Sequence, residues 1–156
     1  MRKKTVVSVA VLLFLTSCSP DAAKTDKPWG KTPVSKPAAD LQWADLDPTG
    51  APGVKIATLW GDPTKGGFGA FFQLPAGFAV PLHTHTNPMN VVIVSGTYIQ
   101  APDGAPEFRL GPSSYLMQPG GSYRHTTSCD KGSPCVFFVE SEGPFDLHVV
   151  AQKPAQ

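Results

Sequence analysis

Two histidines, His83 and His85, stand one residue apart in the stretch GFAVPLHTHTNPMNVVIVSG, residues 77–96. On an extended backbone, side chains two positions apart point to the same face, so both imidazoles converge on one spot. Neutral imidazole is the commonest metal ligand. A pair placed in this way presents two ligands to one ion, provided that the segment is a strand and that other strands bring further groups to the same side.

The rest of the chain supplies such strands. Short runs of Val, Ile, Phe, Tyr and Leu recur as VKIATLW, FGAFFQL, NVVIVSGTYIQA, EFRLG, SSYLMQ, CVFFVES and FDLHVV, each closed by Gly, Pro, Asp or Ser. None carries a helical period over a dozen residues, and many short strands at close spacing predict an all-β barrel or sandwich. Gly66-Gly67, Asp103-Gly104 and Gly120-Gly121 supply turn chemistry. There is no internal repeat, Gly-rich phosphate loop, Ser-His-Asp signature or zinc-finger pattern.

The order Gly77, five residues, His83-x-His85, a short gap, a β-branched run and Gly96 resembles the first motif of the cupin superfamily. The segment SSYLMQPGGSYRHTTSC, residues 113–129, is similar to the second motif through Pro119, Gly121 and His125. The resemblance spans about Trp43 to Val150 and implies a single cupin-type antiparallel barrel, jelly-roll-like, with His125 as a third ligand beside His83 and His85. Four departures stand out. The family's acidic ligand falls on Met89 or Asn90, neither a carboxylate; the opening glycine of the second motif falls on Ser113; an extra residue separates Gly121 from His125; and Cys129 replaces the closing asparagine.

Three neutral imidazoles suit iron, copper, zinc or nickel, and a fourth ligand would be the thioether of Met89 or the amide of Asn90. The cupin resemblance implies oxygenase- or isomerase-like enzymes on small molecules, and equally non-enzymatic binding or sensing modules with a degenerate site; fold alone does not choose between them. Pocket walls are expected from Trp60, Phe71, Tyr98, Tyr115, Met117 and Phe137, with about half facing the wrong way because strand side chains alternate. Tyr98 and Tyr123 are candidate hydrogen-bond donors. Glu107, Glu140 and Glu142 lie at no motif spacing from the histidines, and His148 reads as a solvent-facing strand residue.

The amino terminus points to export. Arg2, Lys3 and Lys4 precede the apolar run VVSVAVLLFL, half the length of the roughly 20 residues a membrane-spanning helix needs. The run ends in Leu15-Thr16-Ser17-Cys18, which looks like the lipobox of bacterial lipoproteins. Residues 1–17 are therefore predicted to be a signal peptide, and Cys18 the lipidated first residue of the mature chain. Residues 18–40 are rich in Pro, Lys and Ala without an apolar period and read as a flexible tether. The domain is expected at residues 41–156.

Removing residues 1–17 takes three positive charges from a chain of formal net charge +1, leaving −2. Nothing in that balance suits nucleic acid. The expected location is the bacterial cell envelope, at the periplasmic face of the outer membrane in a Gram-negative cell because Ser19, not aspartate, follows the cysteine. The expected partners are the membrane, through the lipid, a small-molecule ligand and a second copy in a homodimer. With Cys18 committed to lipid, Cys129 and Cys135 are expected to form a disulfide in that oxidising compartment.

Overall fold

A β-branched or aromatic run bounded by turn residues becomes a strand almost everywhere in the chain. The computed structural model describes residues 32–151, so the signal peptide, Cys18 and most of the tether lie outside the described residues. After one 3-10 turn at Ala38–Asp40 come eleven strands: β1 (Ala44–Asp47), β2 (Ala51–Gly61), β3 (Phe68–Leu74), β4 (Ala79–Thr84), β5 (Met89–Ser95), β6 (Tyr98–Pro102), β7 (Phe108–Leu110), β8 (Tyr115–Gln118), β9 (His125–Cys129), β10 (Cys135–Ser141) and β11 (His148–Val149). Among the described residues no helix is long and apolar enough to cross a membrane.

The strands form two antiparallel sheets. One is six-stranded in the order β1-β2-β3-β10-β5-β8, the other five-stranded in the order β11-β4-β9-β6-β7. The sheets do not close on each other, so the barrel is open-sided. The run FGAFFQL is β3 and CVFFVES is β10 from end to end. NVVIVSGTYIQA is broken into β5 and β6 at Gly96, where φ is +76° and a Cβ would lie 2.5 Å from the Pro134 carbonyl oxygen. FDLHVV contributes only the two-residue β11. Strands β1 and β9 carry too few bulky apolar residues to be legible as strands on their own.

The core lies between the sheets. Phe68, Phe72, Val91, Ile93, Phe137 and Val139 are buried there, with Phe72 and Phe137 stacked at 5.8 Å and 11°. These residues alternate along β3, β5 and β10, the parity that fixes the inward face of the six-stranded sheet. Cys129 and Cys135 are joined by a disulfide that closes the β9–β10 hairpin.

Candidate metal centre

Strand β4 delivers His83, and His85 lies just past its end; β9 begins at His125. His83 and His125 are direct cross-strand partners, because a register shift between Val80 and His83 realigns the end of β4 with the start of β9. The extra residue before His125 is absorbed by the turn that precedes β9, so the ring is not turned aside. All three histidines are buried, at 2%, 6% and 1% exposure. Their ring centroids lie 4.9 Å (His83–His85), 4.2 Å (His83–His125) and 5.4 Å (His85–His125) apart. One nitrogen from each forms a set within 4.8 Å of one another. Gly120 and Gly121 seat the second motif on the first: Gly121 N–H donates to the His85 carbonyl at 2.8 Å, and a Cβ on Gly120 would lie 2.5 Å from the Thr86 carbonyl oxygen.

The tautomers follow from the partners. A carbonyl can only accept, so His83 Nδ1–H donates to Pro81 O at 2.7 Å and His85 Nδ1–H donates to the Asp146 carbonyl. Each leaves its Nε2 lone pair free. His125 receives the Gln118 amide nitrogen 2.5 Å from its own Nε2, so that lone pair is met by a donor within the protein. Burial pushes His83 down to about 4, and burial with the neighbouring His83 and His85 pushes His125 to about 3; burial also lowers His85. Three neutral imidazoles with oriented lone pairs are the form a divalent cation needs, and at neutral pH no proton has to leave first. The residues fit a metal ion.

Met89 and Asn90 separate cleanly. Met89 is buried on the inward face of β5, in register with Gln118 of β8, whereas Asn90 faces outward and accepts from the Tyr115 hydroxyl at 2.7 Å. Of the six expected pocket residues, Tyr98 and Phe137 face the interior. The other four do not: Phe71, Tyr115 and Met117 have the outward parity of their strands, and the Trp60 indole lies over Gly69 on the same outer face. Alternation along a strand puts them there, whatever their hydrophobicity.

Behind the histidines stands a neutral polar wall. Tyr123 stacks on His125 at 5.3 Å, its hydroxyl accepts from Gln100 Nε2 at 3.4 Å, and Tyr98 hydroxyl reaches Gln100 Oε1 and Thr127 Oγ1, each at 3.3 Å. Burial pushes Tyr98 up to about 12, so it serves as a hydrogen-bond group and not as a base. Glu107 pairs with Arg109, Glu140 lies on the outer face of β10, and Glu142 is exposed. His148 is exposed, pairs with Asp146 at 3.2 Å and shares the outer face with Thr84.

Gln118 and Asp146 were not apparent as site residues in the sequence. Gln118 had one legible signal: a polar residue at the inward parity of YLMQ. Asp146 had none, because it acts through its main chain from a segment remote in sequence.

Two antiparallel sheets with three histidines converging between them give the chain a cupin-like fold. The fold is shared with the polyketide cyclase RemF from Streptomyces resistomycificus (TM-score 0.64, 18% identity, 79% of this chain and 89% of that one). It is shared with Rru_A2000 from Rhodospirillum rubrum, a cupin-2 domain (0.60, 16%, 81% and 86%), and with KdgF from Halomonas sp. (0.55, 17%, 71% and 94%). No curated protein matches the chain. The chain belongs to the family described as "Domain of unknown function (DUF4437)", whose model matches residues 20–148.

Proposed function

We propose that this chain is an exported, lipid-anchored cupin that holds a divalent metal through His83, His85 and His125 and uses it on a small molecule, as an oxygenase- or isomerase-like enzyme. The observation that carries the metal reading is the convergence of three buried nitrogens within 4.8 Å. A bound ion would supply Lewis-acid or redox chemistry at positions the three ligands leave open. The protein's own part is to orient the imidazoles through the Pro81 and Asp146 carbonyls, exclude water, and offer the hydroxyls and amides of Tyr98, Gln100 and Tyr123 as neutral hydrogen-bond partners. Among similar structures, a polyketide cyclase and DMSP lyases support a small-molecule role.

One observation favours the second reading, a non-enzymatic binding or sensing module. Among the described residues the buried polar side chains are His83, His85, His125, Gln100, Gln118, Thr127 and Ser141, with neither carboxylate nor amine. The interior therefore offers no proton acceptor apart from the imidazoles. Metal analysis of protein purified without an affinity tag decides between them: iron or copper supports the oxygenase reading, and a metal-free pocket that binds a sugar or small acid supports the module. Failure of zinc, iron(II), copper and nickel to bind in calorimetry would remove the metal centre altogether.

Export and anchoring rest on the leader and on Cys18, with the Cys129–Cys135 disulfide in keeping with an oxidising compartment such as the periplasm. Two or more acyl chains would hold the domain stably at the membrane. Expressed with its leader in a bacterium, the protein should incorporate labelled palmitate, and Cys18→Ala should abolish this; an unlabelled soluble product overturns anchoring. Two copies are proposed to pair.

A further inference from the structure

Beneath the histidines the five-stranded sheet keeps a second polar row. His125 stands opposite His83 on one side and Pro102 on the other. Two residues deeper, about 7 Å along the strand, Thr127 stands opposite Gln100, and the row after that holds Tyr98. Gln100 is fully buried, Tyr98 and Thr127 nearly so. The facing sheet presents Phe72, Val91, Ile93, Phe137 and Val139 to the same interior. Polar side chains in such surroundings need partners, and apolar ones would not.

The row is loosely bonded within itself and ends in one unclaimed proton. Gln100 stands between two phenols: its Oε1 accepts from the Tyr98 hydroxyl at 3.3 Å, and its Nε2–H donates to the Tyr123 oxygen at 3.4 Å. The Tyr98 hydroxyl also lies 3.3 Å from Thr127 Oγ1. Each separation exceeds the roughly 2.7–3.0 Å of a well-formed bond. Because the Tyr123 oxygen accepts from Gln100, its own O–H is turned elsewhere, and among the described residues no group takes it. Tyr123 is half-buried just before β9, its ring stacked on His125 at 5.3 Å and 24°. It stands at the boundary between solvent and interior, against a metal ligand, with a donor to spare.

We infer that the Tyr123 hydroxyl donates this hydrogen bond to an oxygen of the small molecule held at the metal centre. The ligand class is thereby oxygen-bearing: a carbonyl, enolate or hydroxamate whose oxygen binds the ion and keeps a lone pair for the phenol. The inference rests on the metal reading above and adds the residue that selects the ligand. Among the described residues no Lys or Arg is buried, so the interior has no cation to draw in a carboxylate or phosphate remote from the ion. A neutral donor beside the ion favours a ligand whose negative charge sits on the coordinated oxygen itself. No proton is transferred: Tyr123 keeps it, and the Gln100 amide aims it.

The test uses cobalt(II) as the probe ion, because its visible absorption changes when a ligand enters an open position. The full chain is loaded with cobalt(II) and titrated with acetohydroxamate, which binds through oxygen, and with imidazole, which binds through nitrogen and offers the phenol no acceptor. Tyr123→Phe keeps the ring on His125 and should weaken acetohydroxamate by about 10-fold or more, the worth of one hydrogen bond to a charged group, with imidazole unchanged. Gln100→Leu should erode the same preference, since the phenol is then free to turn, and Tyr115→Phe on the outer face should alter neither affinity. Equal weakening of both probes in Tyr123→Phe shows that the residue only packs His125 and overturns the inference, as does acetohydroxamate binding that survives loss of the hydroxyl. A parent that takes up cobalt(II) but not acetohydroxamate overturns the ligand class and leaves the metal centre standing. A parent that takes up no cobalt(II) removes the metal centre and the inference with it.

Discussion

The main-chain carbonyl of Asp146 accepts a hydrogen bond from Nδ1 of His85, 61 residues earlier in the chain. The carbonyl is itself held: Asp146 Oδ1 accepts from Thr86 N–H at 2.8 Å, Phe145 packs against the His85 ring at 5.6 Å, and β11 pairs with β4 immediately beyond. The carboxy-terminal segment thus sets the tautomer of a metal ligand that lies at the end of β4.

Asp146→Ala should therefore weaken metal binding about 10-fold, the low end for loss of a group that orients a ligand. Asp146→Asn keeps an oxygen for Thr86 N–H and should retain most of the affinity. Zinc calorimetry on both variants checks this, and equal loss in the two would show that charge, not positioning, is at work.

Opposite faces of one strand give a sharper contrast. His83→Ala should abolish tight binding, whereas Thr84→Ala, whose side chain shares the outer face with His148, should change affinity less than threefold. Met89→Glu should strengthen binding by adding a carboxylate on the inward face, and Asn90→Glu should not. Without metal, the Met89→Glu domain should melt lower than the parent, since a buried unpaired carboxylate is costly.

Gln118 occupies the lone pair of His125 when no ion does. Gln118→Ala should cost the metal-free domain about 1–3 kcal/mol by leaving a buried acceptor unmet. In the zinc-loaded domain the ion takes that lone pair, so the loss should be smaller. The rise in melting temperature on adding zinc should then be larger in the variant than in the parent, as read by differential scanning fluorimetry.

Acid should destabilise the metal-free domain through the same rings. His83 and His125 have folded values of about 4 and about 3, below the roughly 6.5 of an unfolded histidine. Between those limits the unfolded chain binds more protons, so stability rises with pH. It should be complete above about pH 6.5 and decline towards pH 4.5, a window that lies above most carboxylates. Urea midpoints at pH 7, 5.5 and 4.5 measure it, and a His83→Gln, His125→Gln double variant should show a flatter slope.

Much of this protein was legible without coordinates. Apolar runs punctuated by Gly, Pro and Asp specify strands locally, because side-chain alternation and turn conformation depend on neighbours only a few residues away. For that reason FGAFFQL and CVFFVES matched β3 and β10, and the spacing of His83 and His85 placed both rings on one side. The pairing of strands is not local. Only the tertiary structure brought His125 opposite His83, turned Phe71, Tyr115 and Met117 outward, and set Gln118 and the Asp146 carbonyl against the rings. Those contacts depend on register between segments distant in the chain, and on a main-chain oxygen that every residue carries and no side-chain pattern can reveal.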